Sequence, residues 1–202
     1  MRYYDILKEG TTDQMTVFYG GRFQPMHKGH YSLYSKLVRE YGANNVFIAT
    51  TFGKKQQVMH GNGNYSTDPF TFTEKQMIIS KMFGIPKSHV LDTLPYRPDL
   101  AKAHRDPSKT ATVLAFSAKD ADRLQGGGVL APLPKDTATL QTTDENRAYF
   151  TVLPVEQGGM SATDFRQVMA SNVPTEEKQN TFVQFFGKFD EEIFNFIEER
   201  LA

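Results

Sequence analysis

Short, wholly apolar runs alternate with helix-patterned segments along this chain, and that alternation limits the fold more than any other feature. Residues 15–19, MTVFY, and 46–50, VFIAT, carry no polar alternation, which suits parallel strands covered on both faces. Between them Leu33, Tyr34, Leu37, Val38 and Tyr41 recur at helical spacing, and Gly42 stands where a helix C′ glycine stands. Residues 89–94, 111–116 (ATVLAF) and 149–153 (YFTVL) read as three more strands. Strands that alternate with helices mean βαβ units and a parallel sheet. The expected fold is therefore α/β: a Rossmann-like, doubly wound sheet of about five strands with a helical C-terminal extension.

Local signals refine this outline. Thr71-Phe72-Thr73-Glu74 fits a capping box, with Met77, Ile78, Met82 and Phe83 as the buried face and Gly84 closing the helix. Ser161 opens a helix that ends near Ala170. Two further helices follow, one capped by Thr175 and carrying Phe182, Phe185 and Phe186, the other capped by Asp190 and carrying Ile193, Phe194, Ile197 and Leu201. Residues 53–70 show no period and read as a mobile loop. Residues 97–109 and 119–125 are candidate short helices, and 126–147, rich in Gly, Pro and Thr, reads as a surface excursion. The expected organisation is one domain over 1–202: an N-terminal arm at 1–14, a core at 15–170 and C-terminal helices at 171–202.

Composition excludes several functions. The chain has 202 residues, with 23 Lys plus Arg against 23 Asp plus Glu, so its net charge is zero. A dedicated nucleic-acid binder carries a basic excess, and a membrane-surface protein a polybasic patch; neither is present. There is no cysteine, which removes disulfides, zinc–thiolate sites and a cysteine nucleophile. No apolar run approaches the length of a bilayer span, and the opening MRYYDILKEG lacks a signal-peptide core. The expectation is a cytoplasmic protein, or one of the host cytoplasm if the source is viral.

In a doubly wound sheet the ligand sits beyond the carboxyl ends of the strands. The loops after residues 19, 50, 94, 116 and 153 are therefore the candidates. The first reads GGRFQPMHKGH over 20–30. Gly20 and Gly21 permit close backbone approach, and Pro25 fixes a turn. His27 and His30 lie three apart at a helix start, where N–H groups and the macrodipole favour anions. Two imidazoles there suit a polyphosphate. A capping or core histidine is the alternative, and H-x-x-H also raises metal binding, although no third ligand lies nearby. The loop has neither the G-x-x-x-x-G-K-[ST] of a P-loop nor the G-x-G-x-x-G of a dehydrogenase.

GRFQPMHKGH resembles the G-x-F-x-P-x-H-x-G-H signature of the nucleotidylyltransferase superfamily at all six fixed positions: Gly21, Phe23, Pro25, His27, Gly29 and His30. The GRFQP wording is most similar to archaeal-type nicotinamide-mononucleotide adenylyltransferases and their viral and bifunctional relatives. Residues 158–166, GGMSATDFR, resemble the superfamily's second signature, I-S-x-T-x-x-R, through Met160, Ser161, Thr163 and Arg166. FSAKDADR at 116–123 and DPFTFTEKQMII at 68–79 resemble further segments of such enzymes. Taken alone, each of these is also an ordinary capped or charged helix start.

The resemblance implies direct nucleotidyl transfer, with ATP and nicotinamide mononucleotide giving NAD and pyrophosphate. It implies His27 and His30 as donors to the α- and β-phosphates, with charge from Lys28 and Arg22, and Arg166 holding the leaving pyrophosphate. Gly20, Gly21, Phe23, Lys119, Asp120, Asp122, Ser161 and Thr163 would complete the nucleotide site. Mg²⁺ is expected on the substrate phosphates rather than in a protein cage. A pyridine ring needs an aromatic partner, and with no Trp in the chain Phe52, Tyr96 or another Phe or Tyr must serve. Two other readings remain open. One is transfer to another acceptor, such as phosphopantetheine or a sugar or alcohol phosphate with CTP. The other is a non-catalytic nucleotide-binding protein. The aromatic C-terminal helices read either as a cover for the core, the favoured reading, or as the interface of a homo-oligomer.

Overall fold

In the computed structural model the strand order is β3-β2-β1-β4-β6-β5. The strands are β1 (Met15–Gly20), β2 (Val46–Thr50), β3 (Val90–Asp92), β4 (Ala111–Ser117), β5 (Leu130–Pro132) and β6 (Ala148–Leu153). The structure describes residues 15–61, 67–95, 97, 109–118, 130–137, 140, 148–154 and 159–202. Strand β1 pairs in parallel with β2 (Val17 opposite Val46) and with β4 (Val17 opposite Val113), and β6 pairs in parallel with β4 and β5. Every residue of β1 and six of seven in β4 are buried. That is what their unbroken apolar runs require of central strands.

Parallel neighbours need a crossover, and α1 (Lys28–Tyr41) supplies the one from β1 to β2. It ends at Gly42, whose φ of 84° is the left-handed region that glycine enters without strain. The chain runs outward from β1 through β2 to β3, then restarts on the other side at β4. The switch point lies between β1 and β4, so the loop leaving β1 is the one the topology favours for a ligand.

The sequence expectation needs four corrections. The sheet has six strands rather than about five. The additional one, β5, is a three-residue edge strand inside the segment read as a surface excursion. Its Pro132 is tolerated because an edge strand has one unpaired side. Residues read as a loop contain α2 (Lys54–Gly61), whose lysines and glutamines favour helix without an apolar period. Thr175 is the first residue of α5 (Thr175–Phe186); the N-cap position is Pro174, with no side-chain cap. The candidate helices at 97–109 and 119–125 fall almost wholly outside the described residues.

The other caps are as expected. Helix α3 (Phe72–Phe83) has a full capping box between Thr71 and Glu74 and ends on Gly84 at φ 69°. Helix α4 (Ala162–Ala170) is capped by Ser161 and α6 (Glu191–Leu201) by Asp190.

The described residues form two compact units. One comprises those in 15–21, 33–49 and 93–155, and contains most of the sheet. The other comprises those in 22–32, 50–92 and 156–202. The second has its own core of phenylalanines: Phe165 stacks on Phe185 with ring centroids 4.0 Å apart, and Phe182 lies 4.6 Å from Phe186. Ile78 and Met82 of α3 and Ile193, Phe194 and Ile197 of α6 complete it. Ion pairs tie α3 to α6, through Lys81 with Glu192 and Arg200 with Glu74. No helix among the described residues is long and apolar enough to cross a membrane.

Candidate functional site

The site is built within the second unit, on the loop 22–27 and the first turn of α1. His27 is the residue before the helix, and its ring closes the first turn. Its Nδ1 accepts the backbone N–H of Gly29 at 3.1 Å and of His30 at 3.3 Å. In return, His30 Nδ1 accepts the backbone N–H of His27 at 3.3 Å. This is the reciprocal logic of a capping box, carried out by two imidazoles. The rings stack with centroids 3.7 Å apart.

A chemical consequence follows. An Nδ1 that accepts an N–H has no hydrogen of its own, so in each neutral ring the hydrogen sits on Nε2. The backbone thus sets both tautomers, and both rings present Nε2–H as a donor. Capping and ligand donation, alternatives in the sequence reading, use different nitrogens of the same ring.

Gly29 has a geometric reason. A Cβ there would lie 3.0 Å from His27 Cε1 and 3.1 Å from its Nδ1, so a side chain would push the ring off its cap. Phe23 packs edge-on against His30 with centroids 5.2 Å apart, and Phe185 of α5 does the same to His27. Phe23 also sits at φ 45°, a left-handed conformation that a phenylalanine adopts only when its surroundings impose it.

Three sets of hydrogen bonds hold the backbone around it, to Phe70, Arg166 and Lys75 in distant parts of the chain. Gln24 is buried and pairs with the backbone of Phe70 twice: its Nε2 donates to Phe70 O at 2.9 Å, and its Oε1 accepts from Phe70 N at 3.0 Å. Arg166, 5% exposed, donates through NH1 to Gln24 O at 2.5 Å and through NH2 to Thr163 Oγ1 at 3.4 Å. Lys75 of α3, 1% exposed, donates to Arg22 O at 3.2 Å, Thr50 Oγ1 at 3.0 Å and Thr51 O at 2.8 Å.

The charges are unbalanced here. Arg22, Lys75 and Arg166 act on one buried carboxylate, Asp68, which pairs with Arg22 at 3.7 Å and whose Oδ1 accepts no hydrogen bond from the described residues. Burial lowers the Lys75 ammonium to about 8, against the pull of Asp68 and Asp92. Burial, and then repulsion from Arg22, also lowers the Arg166 guanidinium from its usual value. A local excess of buried positive charge next to two N–H donors suits an anion. A net charge of zero over the whole chain conceals it.

The other expected site residues fall as follows. Lys28 is exposed on the first turn of α1, and Arg22 is 55% exposed at its side chain. At Gly20 the space a Cβ needs is taken by Pro95, 2.6 Å away, so this glycine admits its own chain; Gly21 N–H donates to Ala49 O at 3.2 Å. Ser161 accepts the Asp164 N–H at 3.1 Å and donates to its carboxylate at 2.7 Å. Phe52 is half-buried beyond β2. Tyr96, Lys119, Asp120 and Asp122 lie outside the described residues. Among the described residues no three acidic or histidine side chains are grouped to hold a metal ion.

Sequence reasoning missed Gln24, Asp68 and Lys75. Lys75 carried a usable signal, because it lies in helical register with the buried Ile78, Ile79 and Met82. A lysine on an apolar face is either misplaced or paired.

No family model and no curated protein sequence matches this chain. Among solved structures it is similar to the Plasmodium falciparum nicotinic acid mononucleotide adenylyltransferase complexed with NaAD, at 11% identity and a TM-score of 0.50. The match covers 92% of this chain and 95% of that one. At that identity the likeness is one of fold.

Proposed function

We propose that this protein is a nucleotidylyltransferase that transfers AMP from ATP to a pyridine mononucleotide, with nicotinamide mononucleotide as the acceptor. One observation carries the reading: the mutual capping of His27 and His30, which fixes two neighbouring Nε2–H donors at a helix N-terminus. The similar solved structure is a nicotinic acid mononucleotide adenylyltransferase complexed with NaAD, which supports both the reaction class and the acceptor class.

In the proposed reaction a phosphate oxygen of the mononucleotide attacks the α-phosphorus of ATP. The bond to the β-phosphate bridging oxygen breaks, and pyrophosphate leaves with that electron pair. The attacking phosphate is already an anion, so no general base is needed. The chain aligns the two substrates and neutralises the charge that develops. His27 and His30 donate from Nε2 to the phosphate oxygens. The N–H groups of the first turn of α1 are partly spent on the imidazoles, so the rings extend the donor set of the helix start outward.

Arg166 is committed to Gln24 and Thr163, and its part is first the charge it holds close to the loop. Contact with the leaving pyrophosphate requires exchange of the Thr163 bond. The buried acid of the cluster, Asp68, is paired with Arg22, and Asp92 is held by Thr51 Oγ1. Mg²⁺ belongs to the substrate, carried on the triphosphate and water.

The test is incubation with ATP, Mg²⁺ and nicotinamide mononucleotide while NAD is followed, with CTP in a parallel arm. Formation of NAD and pyrophosphate in equal amounts is expected. Nicotinate mononucleotide is the second acceptor to assay, because the similar structure is a nicotinic acid mononucleotide adenylyltransferase. No dinucleotide from either acceptor contradicts the reading. Binding of ATP without turnover favours a non-catalytic nucleotide-binding protein.

A further inference from the structure

Lys75 is the only buried lysine among the described residues, and the reaction above assigns it nothing. Its three N–H groups meet three oxygens. Thr51 O and Thr50 Oγ1 lie at the end of β2, and Arg22 O lies in the loop five residues before His27. Thr50 Oγ1 in turn donates to Arg22 O at 3.4 Å, so this carbonyl accepts from two donors that are bonded to each other. An ammonium satisfies this arrangement and an amine does not. An amine has two N–H groups and a lone pair. The Thr50 hydroxyl must then turn from Arg22 O to the nitrogen, or the lone pair must face an oxygen.

We propose that Lys75 is a positioning residue whose charged ammonium ties the loop bearing His27 and His30 to the end of β2, and that loss of its proton loosens that loop. The consequence for turnover rests on the nucleotidylyltransferase reading; the positioning itself does not.

The charged groups around Lys75 set where this happens. Asp68 and Asp92 favour the ammonium, and Asp92 is itself held by Thr51 Oγ1 at 2.7 Å. Arg22 disfavours it, and Arg166 interacts with the same Arg22 and Asp68. On its own helix Glu74 is taken by the Thr71 N–H and by Arg200. Burial outweighs these and brings the group to about 8. Because the folded-state value is depressed, the proton leaves Lys75 in the folded protein as pH rises through about 8.

The experiment has two readouts on the whole protein. The first follows the His27 and His30 ring resonances by NMR without substrate, from about pH 6 to about pH 10. The second measures kcat for NAD formation over the same range. In the wild type a one-proton step in the ring resonances is expected near pH 8, with kcat at about pH 9 falling to roughly a tenth of its plateau. Lys75→Arg keeps the charge at every pH used, and the step should vanish. Thr50→Val is nearly isosteric and removes one acceptor of the ammonium, so the step should move to lower pH. Should Lys75→Arg not fold, Thr50→Val decides alone. Ring resonances that show no step, or a step unmoved by the variants, overturn the proposal whatever the turnover. A step that responds to the variants in a protein that makes no dinucleotide leaves the positioning standing and removes the proposed reaction.

Discussion

The two segments that resemble nucleotidylyltransferase signatures are held in opposite ways. In their hydrogen bonds residues 160–166 are largely self-sufficient: Ser161 caps α4 through Asp164, three residues away, while Arg166 donates to Gln24 O and Phe165 packs into the phenylalanine core. Residues 21–30 depend on others. Their histidines cap each other locally, but the backbone leading to them is fixed by partners 46, 53 and 142 residues distant in the chain. The first segment is therefore where remote changes should act on function. In the second, most changes should act on stability alone.

The largest effect is expected at the histidines. His30→Ala removes a preorganised donor together with half of the mutual cap, and kcat should fall by about a hundredfold or more. Near-wild-type turnover would contradict the assignment. Arg166→Ala comes next, because it strips Gln24 O of its charged partner and removes a buried cation. We expect kcat lower by roughly tenfold to a hundredfold, with unfolding free energy lower by about 1–3 kcal/mol in denaturant titrations. A loss of stability with kcat untouched would show that the two segments are not coupled.

Gly29→Ala separates the two kinds of effect. Alanine favours the helix over glycine by up to about 1 kcal/mol, so stability should hold or rise. The added Cβ crowds His27, and kcat should drop by about tenfold. Parallel losses in both would mean that the ring position is not what Gly29 protects. The smallest effect belongs to the self-contained cap. Ser161→Ala should cost about 1 kcal/mol and leave kcat within about twofold. A hundredfold loss of kcat there would break the contrast and place Ser161 on the substrate.

Legibility in the sequence followed the range of the interactions. Strands β1, β2 and β4 were readable because burial on both faces leaves an unbroken apolar run. The capping box of α3 and the cap of α4 were readable because each is complete within four residues. Strand β5 was not: three residues with a proline, paired on one side only, carry no period to detect. Helix α2 carries no apolar period in its sequence to betray it. His27 and His30 were singled out by their spacing and Gly29 by the resemblance, though neither showed that the rings cap each other. Gln24, Asp68 and Lys75 act across tens of residues, and only Lys75 left a trace, as a charge in an apolar register.

The Nδ1 atoms of both imidazoles face the backbone, and in the proposed reaction their Nε2–H groups donate to the nucleotide. Long-range ¹H–¹⁵N correlation on the ring nitrogens, with and without a non-hydrolysable ATP analogue, tests this directly. The account predicts a hydrogen on Nε2 of both His27 and His30, with the Nε2 signals shifting when nucleotide is added. A hydrogen on either Nδ1, or Nε2 signals that do not respond to nucleotide, would contradict it.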